Sequence, residues 1–121
     1  MPKKILVVDD TRLILNLTTM SLVKAGFEVV TAANGQEALE RVRTEHPDLI
    51  ILDIMMPIMD GFEACRRLKE DKDTCAIPVI FLTAKGQEAD RSKGLDVGAV
   101  DFITKPFSPR RLVEKVSQYL V

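Results

Sequence analysis

Apolar residues fall into two alternating patterns along this chain. Short runs of mostly aliphatic side chains recur at Lys4–Val8, Phe27–Ala32, Asp48–Asp53, Pro78–Leu82 and Val100–Thr104. The nearly unbroken ones predict strands buried on both faces. Between them lie stretches with apolar residues three and four apart, which predict helices. The first, Thr11–Ala25, carries Leu13, Ile14, Leu17, Met20, Leu22 and Val23, a broad stripe expected to be buried. Asp10 is its expected N-cap and Gly26 its stop. After an Asn34-Gly35 turn, Gln36–Thr44 predicts a helix with Ala38, Leu39 and Val42 inward. Gly61–Glu70 predicts a third, with Phe62, Ala64 or Cys65, and Leu68 inward, followed by a polar connector over 71–76. Gln87–Val97 has few apolar residues and is expected to be the least firmly held helix. A Gly98-Ala99 turn leads to the last strand, and Ser108–Val121 predicts the last helix, with Ser108 as N-cap and Pro109 at its first position.

Strand and helix thus alternate five times with no linker or low-complexity run. That order predicts one parallel sheet covered on both faces. With right-handed crossovers, the expected architecture is α/β: a doubly wound (βα)5 flavodoxin-like fold of strand order 2-1-3-4-5, one domain over residues 1–121.

Composition narrows the class. The chain is 46% hydrophobic and 29% charged, ordinary for a globular domain. A net charge of −1 gives no electrostatic reason to expect direct nucleic-acid binding. No run approaches the roughly 20 apolar residues of a membrane span. Ile5–Val8 ends at once in Asp9-Asp10, too short for a signal-peptide core, so a cytoplasmic location is expected. Cys65, Cys75 and the single His46 have no zinc-site spacing; two reduced thiols and a loop or capping histidine are expected.

In such a sheet the strand C-termini share one edge, and ligands bind there. The residues that land on it are Asp9 and Asp10 after strand one, Asp53 at the end of strand three, Thr83 after strand four and Lys105 after strand five. Strands one and three are neighbours in this order, so three carboxylates converge. At about 5 Å and an effective dielectric near 20, each pair repels by roughly 3 kcal/mol. Lys105 relieves part of this, and a hard divalent cation relieves more. An all-oxygen set favours Mg²⁺ or Mn²⁺ over zinc. A hydroxyl, an ammonium and a cation around one carboxylate are the parts that stabilise a transferring phosphoryl group, and a carboxylate can be the nucleophile.

Five segments carry a resemblance: Val-Val-Asp-Asp at 7–10, Leu-Asp-Ile-Met-Met-Pro-Ile-Met-Asp-Gly at 52–61, Leu-Thr-Ala at 82–84, Gly-Ala-Val-Asp-Phe at 98–102 and Thr-Lys-Pro-Phe at 104–107. In this order they resemble the receiver domains of two-component response regulators. The resemblance implies that Asp53 is the phosphoacceptor, Asp10 a direct Mg²⁺ ligand and Asp9 a ligand through water. It implies that the Met55 backbone carbonyl completes the metal site, that Lys105 contacts phosphoryl oxygens, and that Thr83 turns inward to bond them. Ala84 would keep access open, Phe102 would swing inward after phosphorylation, and Lys105-Pro106 would be a cis peptide. The implied donor is a phosphohistidine on a sensor histidine kinase or histidine phosphotransfer protein. The implied output is a changed surface of the fourth helix, fifth strand and fifth helix, read by a downstream effector protein or a fused effector domain. Such a chain assists its own phosphorylation and is not an enzyme on an external substrate.

Two positions depart from the members that dimerise through that surface: Arg111 stands where an acid is expected and Val100 where Asp is frequent. A monomer or weak phosphorylation-dependent dimer is therefore expected, either as a stand-alone receiver or as one cut from a longer protein. Among other classes, an aspartyl-phosphate phosphatase would need an acid where Met55 stands. A flavin module would need a phosphate-cradling first loop, where Asp9-Asp10 would repel phosphate. A degenerate receiver acting only as a protein-binding module is the remaining alternative.

Overall fold

The computed structural model describes residues 2–84 and 88–120. Five strands, β1 (Lys4–Val8), β2 (Glu28–Ala32), β3 (Leu49–Asp53), β4 (Val79–Ala84) and β5 (Asp101–Lys105), alternate with five helices. The helices are α1 (Arg12–Lys24), α2 (Gly35–Glu45), α3 (Gly61–Glu70), α4 (Glu88–Asp96) and α5 (Pro109–Tyr119). All strand pairs are parallel, in the order β2-β1-β3-β4-β5. Alternate residues of the central strands feed two cores. Leu6, Val8, Ile50, Leu52 and Phe81 meet side chains of α2 and α3 on one face. Ile5, Val7, Ile51, Ile80 and Leu82 meet Leu22 of α1 with Leu112 and Val116 of α5 on the other.

The helix ends follow side-chain chemistry. Asn34 caps α2 by accepting from Glu37 N at 2.9 Å, and Asp60 caps α3 by accepting from Glu63 N at 2.9 Å. Ser108 caps α5 by accepting from Arg111 N at 3.1 Å, with Pro109 in the first turn. His46 closes α2 in the left-handed region (φ 48°), and Gly26 follows α1 at φ 100°. The start expected for the fourth helix at Gln87 lies outside the described residues, as does the end expected for the fifth at Val121.

Two expectations for α1 are corrected. Thr11, not Asp10, occupies its N-cap position, and Thr11 makes no side-chain cap bond; Asp9 instead accepts from Thr11 N at 2.9 Å. The apolar stripe is not buried as a whole. Only Thr18 and Leu22 of this helix are buried, while Leu13, Leu17, Met20 and Val23 are 64%, 50%, 68% and 54% exposed. The helix is apolar on more than one side, and the sheet with α5 covers only the side that carries Leu22, with Ile14 and Leu15 partly buried against the same core. Among the described residues no helix is long and apolar enough to cross a membrane.

Candidate functional site

Parallel pairing brings the strand ends to one edge. Val8 pairs with Leu52, Asp53 with Leu82, and Ala84 with Lys105. β4 runs two residues beyond its expected end, so Thr83 and Ala84 belong to the strand. Asp9 is fully buried, Asp53 is 7% exposed and Asp10 is exposed. One carboxylate oxygen from each of the three lies within 4.8 Å of the others.

Lys105 spans the two buried acids. Its ammonium donates to Asp53 Oδ1 at 3.1 Å and to Asp9 Oδ2 at 3.2 Å. Asp53 Oδ1 also accepts from Ile54 N at 3.0 Å. Burial and the neighbouring Asp9 charge push the Asp53 carboxyl up to about 6, against the opposing pull of Lys105. Burial draws the Lys105 ammonium toward neutrality, but Asp53 and Asp9 outweigh it and its pKa is raised. At pH 7 the site therefore holds an ionised but unusually basic carboxylate beside a charged lysine.

A cleft of about 370 Å³ opens over this group, lined among others by Asp10, Asp53, Met55, Thr83, Ala84 and Lys105. Every residue singled out on the strand edge thus faces one cleft or, as Asp9 does, touches it through Lys105. Thr83 is buried, and among the described residues its hydroxyl makes a long contact, 3.5 Å to the Ala84 carbonyl. The Lys105–Pro106 peptide is cis. Met55 is 78% exposed at the rim. Phe102 lies away from the cleft, 5% exposed, with its ring 5.9 Å from that of Phe81.

Three features escaped the sequence. Asp90 of α4 lines the cleft, a fourth acid whose place depends on how α4 lies. Gly61 is more than a turn residue: a Cβ there would clash with the Asp53 carbonyl oxygen. The bare glycine lets α3 begin directly against the end of β3, and Gly61 N donates to the Ile54 carbonyl at 2.8 Å. Ile58 sits at φ 71° with Met59 N bonded to the Pro57 carbonyl at 2.7 Å, a γ-turn on a β-branched residue that is 81% exposed. Only the dense turn chemistry of 57–61 signals any of this in the sequence.

Residues 5–117 match the response regulator receiver domain family, and the chain belongs to it. It is 48% identical over 120 residues to the alkaline phosphatase synthesis transcriptional regulatory protein PhoP of Bacillus subtilis (strain 168), covering 99% of this chain and 49% of that protein. It is 48% identical over 118 residues to the phosphate regulon transcriptional regulatory protein PhoB of Pseudomonas aeruginosa, covering 98% of this chain and 52% of that one. The chain thus spans about half the length of these curated relatives. Among solved structures, a putative response regulator from Chloroflexus aurantiacus superposes with a TM-score of 0.96 at 36% identity, covering 99% of this chain and 98% of that one. Chemotaxis protein CheY4 of Vibrio cholerae superposes with a TM-score of 0.93 at 34% identity, covering 98% and 99%. The chain is thus a receiver domain of the two-component response regulator type, on the flavodoxin-like fold of its neighbours.

Proposed function

We propose that this receiver accepts a phosphoryl group on Asp53 from a phosphohistidine of a sensor histidine kinase or histidine phosphotransfer protein, and that Mg²⁺ is required. The observation that carries the reading is the Asp53 carboxylate itself. It stands at the floor of an open cleft, more basic than an ordinary carboxylate, with Lys105 already 3.1 Å from one oxygen.

The donor set suits a hard cation. Asp9, Asp10 and Asp53 offer oxygens within 4.8 Å of one another; Asp10 and Asp53 would hold the ion directly, Asp9 would hold it through water, and the Met55 carbonyl would complete the set. When bound, Mg²⁺ or Mn²⁺ supplies positive charge to the carboxylates and to the phosphoryl oxygens. The protein's own residues do the rest. An Asp53 carboxylate oxygen attacks phosphorus, the new O–P bond forms as the N–P bond to the donor imidazole breaks, and the bond pair leaves with the imidazole nitrogen. Lys105 holds the nucleophile in place and then meets the added charge of about −2. The Thr83 hydroxyl, at a long 3.5 Å from Ala84 O, turns to bond a phosphoryl oxygen. Ala84 leaves the mouth of the cleft open. Phe102 and the α4–β5–α5 surface carry the change to a downstream effector protein or fused effector domain.

The test is labelling by acetyl phosphate with Mg²⁺. Wild type is expected to form an acid-stable, base-labile acyl phosphate, and Asp53→Asn to form none. Equal labelling of the two proteins would remove Asp53 as the acceptor.

A further inference from the structure

α4 has one buried position among its described residues, and it is a glycine, Gly94. A glycine inside a helix loosens it, because it gives up the most backbone freedom on folding. Here the missing side chain has a definite use. A Cβ at residue 94 would lie 2.6 Å from Phe102 Cζ, 2.8 Å from Phe102 Cε2 and 3.0 Å from Phe81 Cδ2. Carbon atoms do not approach that closely, since contacts between them settle at about 3.5–4.0 Å. The two rings come from paired residues of β4 and β5, and they are tilted by 31° to each other. The Phe102 ring therefore fills the space that any larger residue at 94 would claim, with the Arg91 guanidinium carbon 5.3 Å from its centroid.

We propose that Gly94 is a positioning residue of this receiver: its missing Cβ is the seat that lets the Phe102 ring lie beneath α4, and the seat sets the balance between ring-in and ring-out states. The ring and Lys105 belong to the same five-residue strand, Asp101–Lys105. A bias on the ring is therefore a bias on the strand that carries the site's ammonium, and the coupling must run equally in both directions. The functional half of this proposal rests on the reading of Asp53 as phosphoacceptor, whereas the packing half stands on the geometry alone.

A two-by-two set of variants tests both halves: wild type, Gly94→Ala, Phe102→Leu and the double variant. The Phe102→Leu change keeps apolar volume but removes the ring atoms that reach residue 94. Gly94→Ala is expected to lower the melting temperature by several degrees when Phe102 is present. In the Phe102→Leu background the same change is expected to raise it, as alanine for glycine does in an unobstructed helix. Beryllofluoride with Mg²⁺, a mimic of the acyl phosphate, is expected to bind Gly94→Ala about fivefold or more weakly than wild type, and to bind the two proteins that carry Phe102→Leu alike. If Gly94→Ala raises the melting temperature in both backgrounds, the seat does not exist. If the sign reverses as expected but beryllofluoride binds Gly94→Ala as it binds wild type, the seat is packing alone and the positioning role is lost. If wild type binds no beryllofluoride, the phosphoacceptor reading falls and takes the positioning role with it, while the melting data still decide the seat.

Discussion

α3 and α4 each bring a glycine hard against the sheet, but the two glycines meet opposite kinds of neighbour. Gly61 meets backbone, the Asp53 carbonyl oxygen and the Ile54 Cα. Gly94 meets two aromatic side chains. Backbone at the end of a central strand cannot move without unpairing the sheet, whereas a ring can turn about its own bonds. The surroundings differ in the same sense. α3 is capped by Asp60 and buries Phe62, Ala64, Cys65 and Leu68. α4 buries only Gly94 among its described positions. The side of the cleft that holds Asp53 is thus built to stay, and the side formed by α4 is built to yield.

The contrast is broken most directly at Gly61. Gly61→Ala is expected to destabilise the fold by about 3 kcal/mol in denaturant unfolding, at the upper end for an overpacked site, because the clash is with backbone. A loss under about 1 kcal/mol would mean that the end of β3 yields as readily as a ring does.

The next largest effect sharpens what the fixed side carries. An acid whose pKa rises on folding holds its proton longer in the folded state than in the unfolded one. The stability from Asp53 is therefore fully present below its ordinary value of 3.8 and is lost as pH rises through about 6. Asp53→Asn is expected to be more stable than wild type at pH 7 by about 1–3 kcal/mol, with the advantage disappearing near pH 4. Chemical denaturation of both proteins at the two pH values measures it. An Asn variant less stable than wild type at pH 7 would show that the Lys105 contacts outweigh burial and the repulsion from Asp9.

The smallest effect concerns motion rather than mutation. Amides of α4 are expected to exchange at least about tenfold faster than those of α3 in native-state hydrogen exchange, since fewer buried contacts hold the helix down. Equal protection would remove the distinction between the two sides.

The parallel sheet was legible in the sequence because central strands buried on both faces leave nearly continuous apolar runs. The edge acids stood out because each interrupts such a run at its end. Asp9, Asp10, Asp53, Thr83 and Lys105 needed only the strand order to be placed together. What could not be read depended on how elements lie against each other. Helical spacing shows that α1 has apolar positions but not which side the sheet covers, and Thr18 rather than Leu17 turned out to face inward. Asp10 looked like a cap, yet the chain delays one residue and lets Asp9 take the Thr11 amide. Asp90 entered the cleft only through the placement of α4, and Gly94 had no meaning until a ring was found beneath it.

The uncovered face of α1 has a consequence for the protein as a solute. Leu13, Leu17 and Met20 recur at intervals of four and three, so they align along one side of the helix, and all three are at least half exposed. The chain has a net charge of only −1 at pH 7, so copies repel one another weakly. Repulsion that shallow leaves a sticky stripe to govern encounters between molecules. Concentrated solutions of the isolated domain at neutral pH should show attractive colloidal behaviour, and more so as pH falls toward the isoelectric point near 5.8.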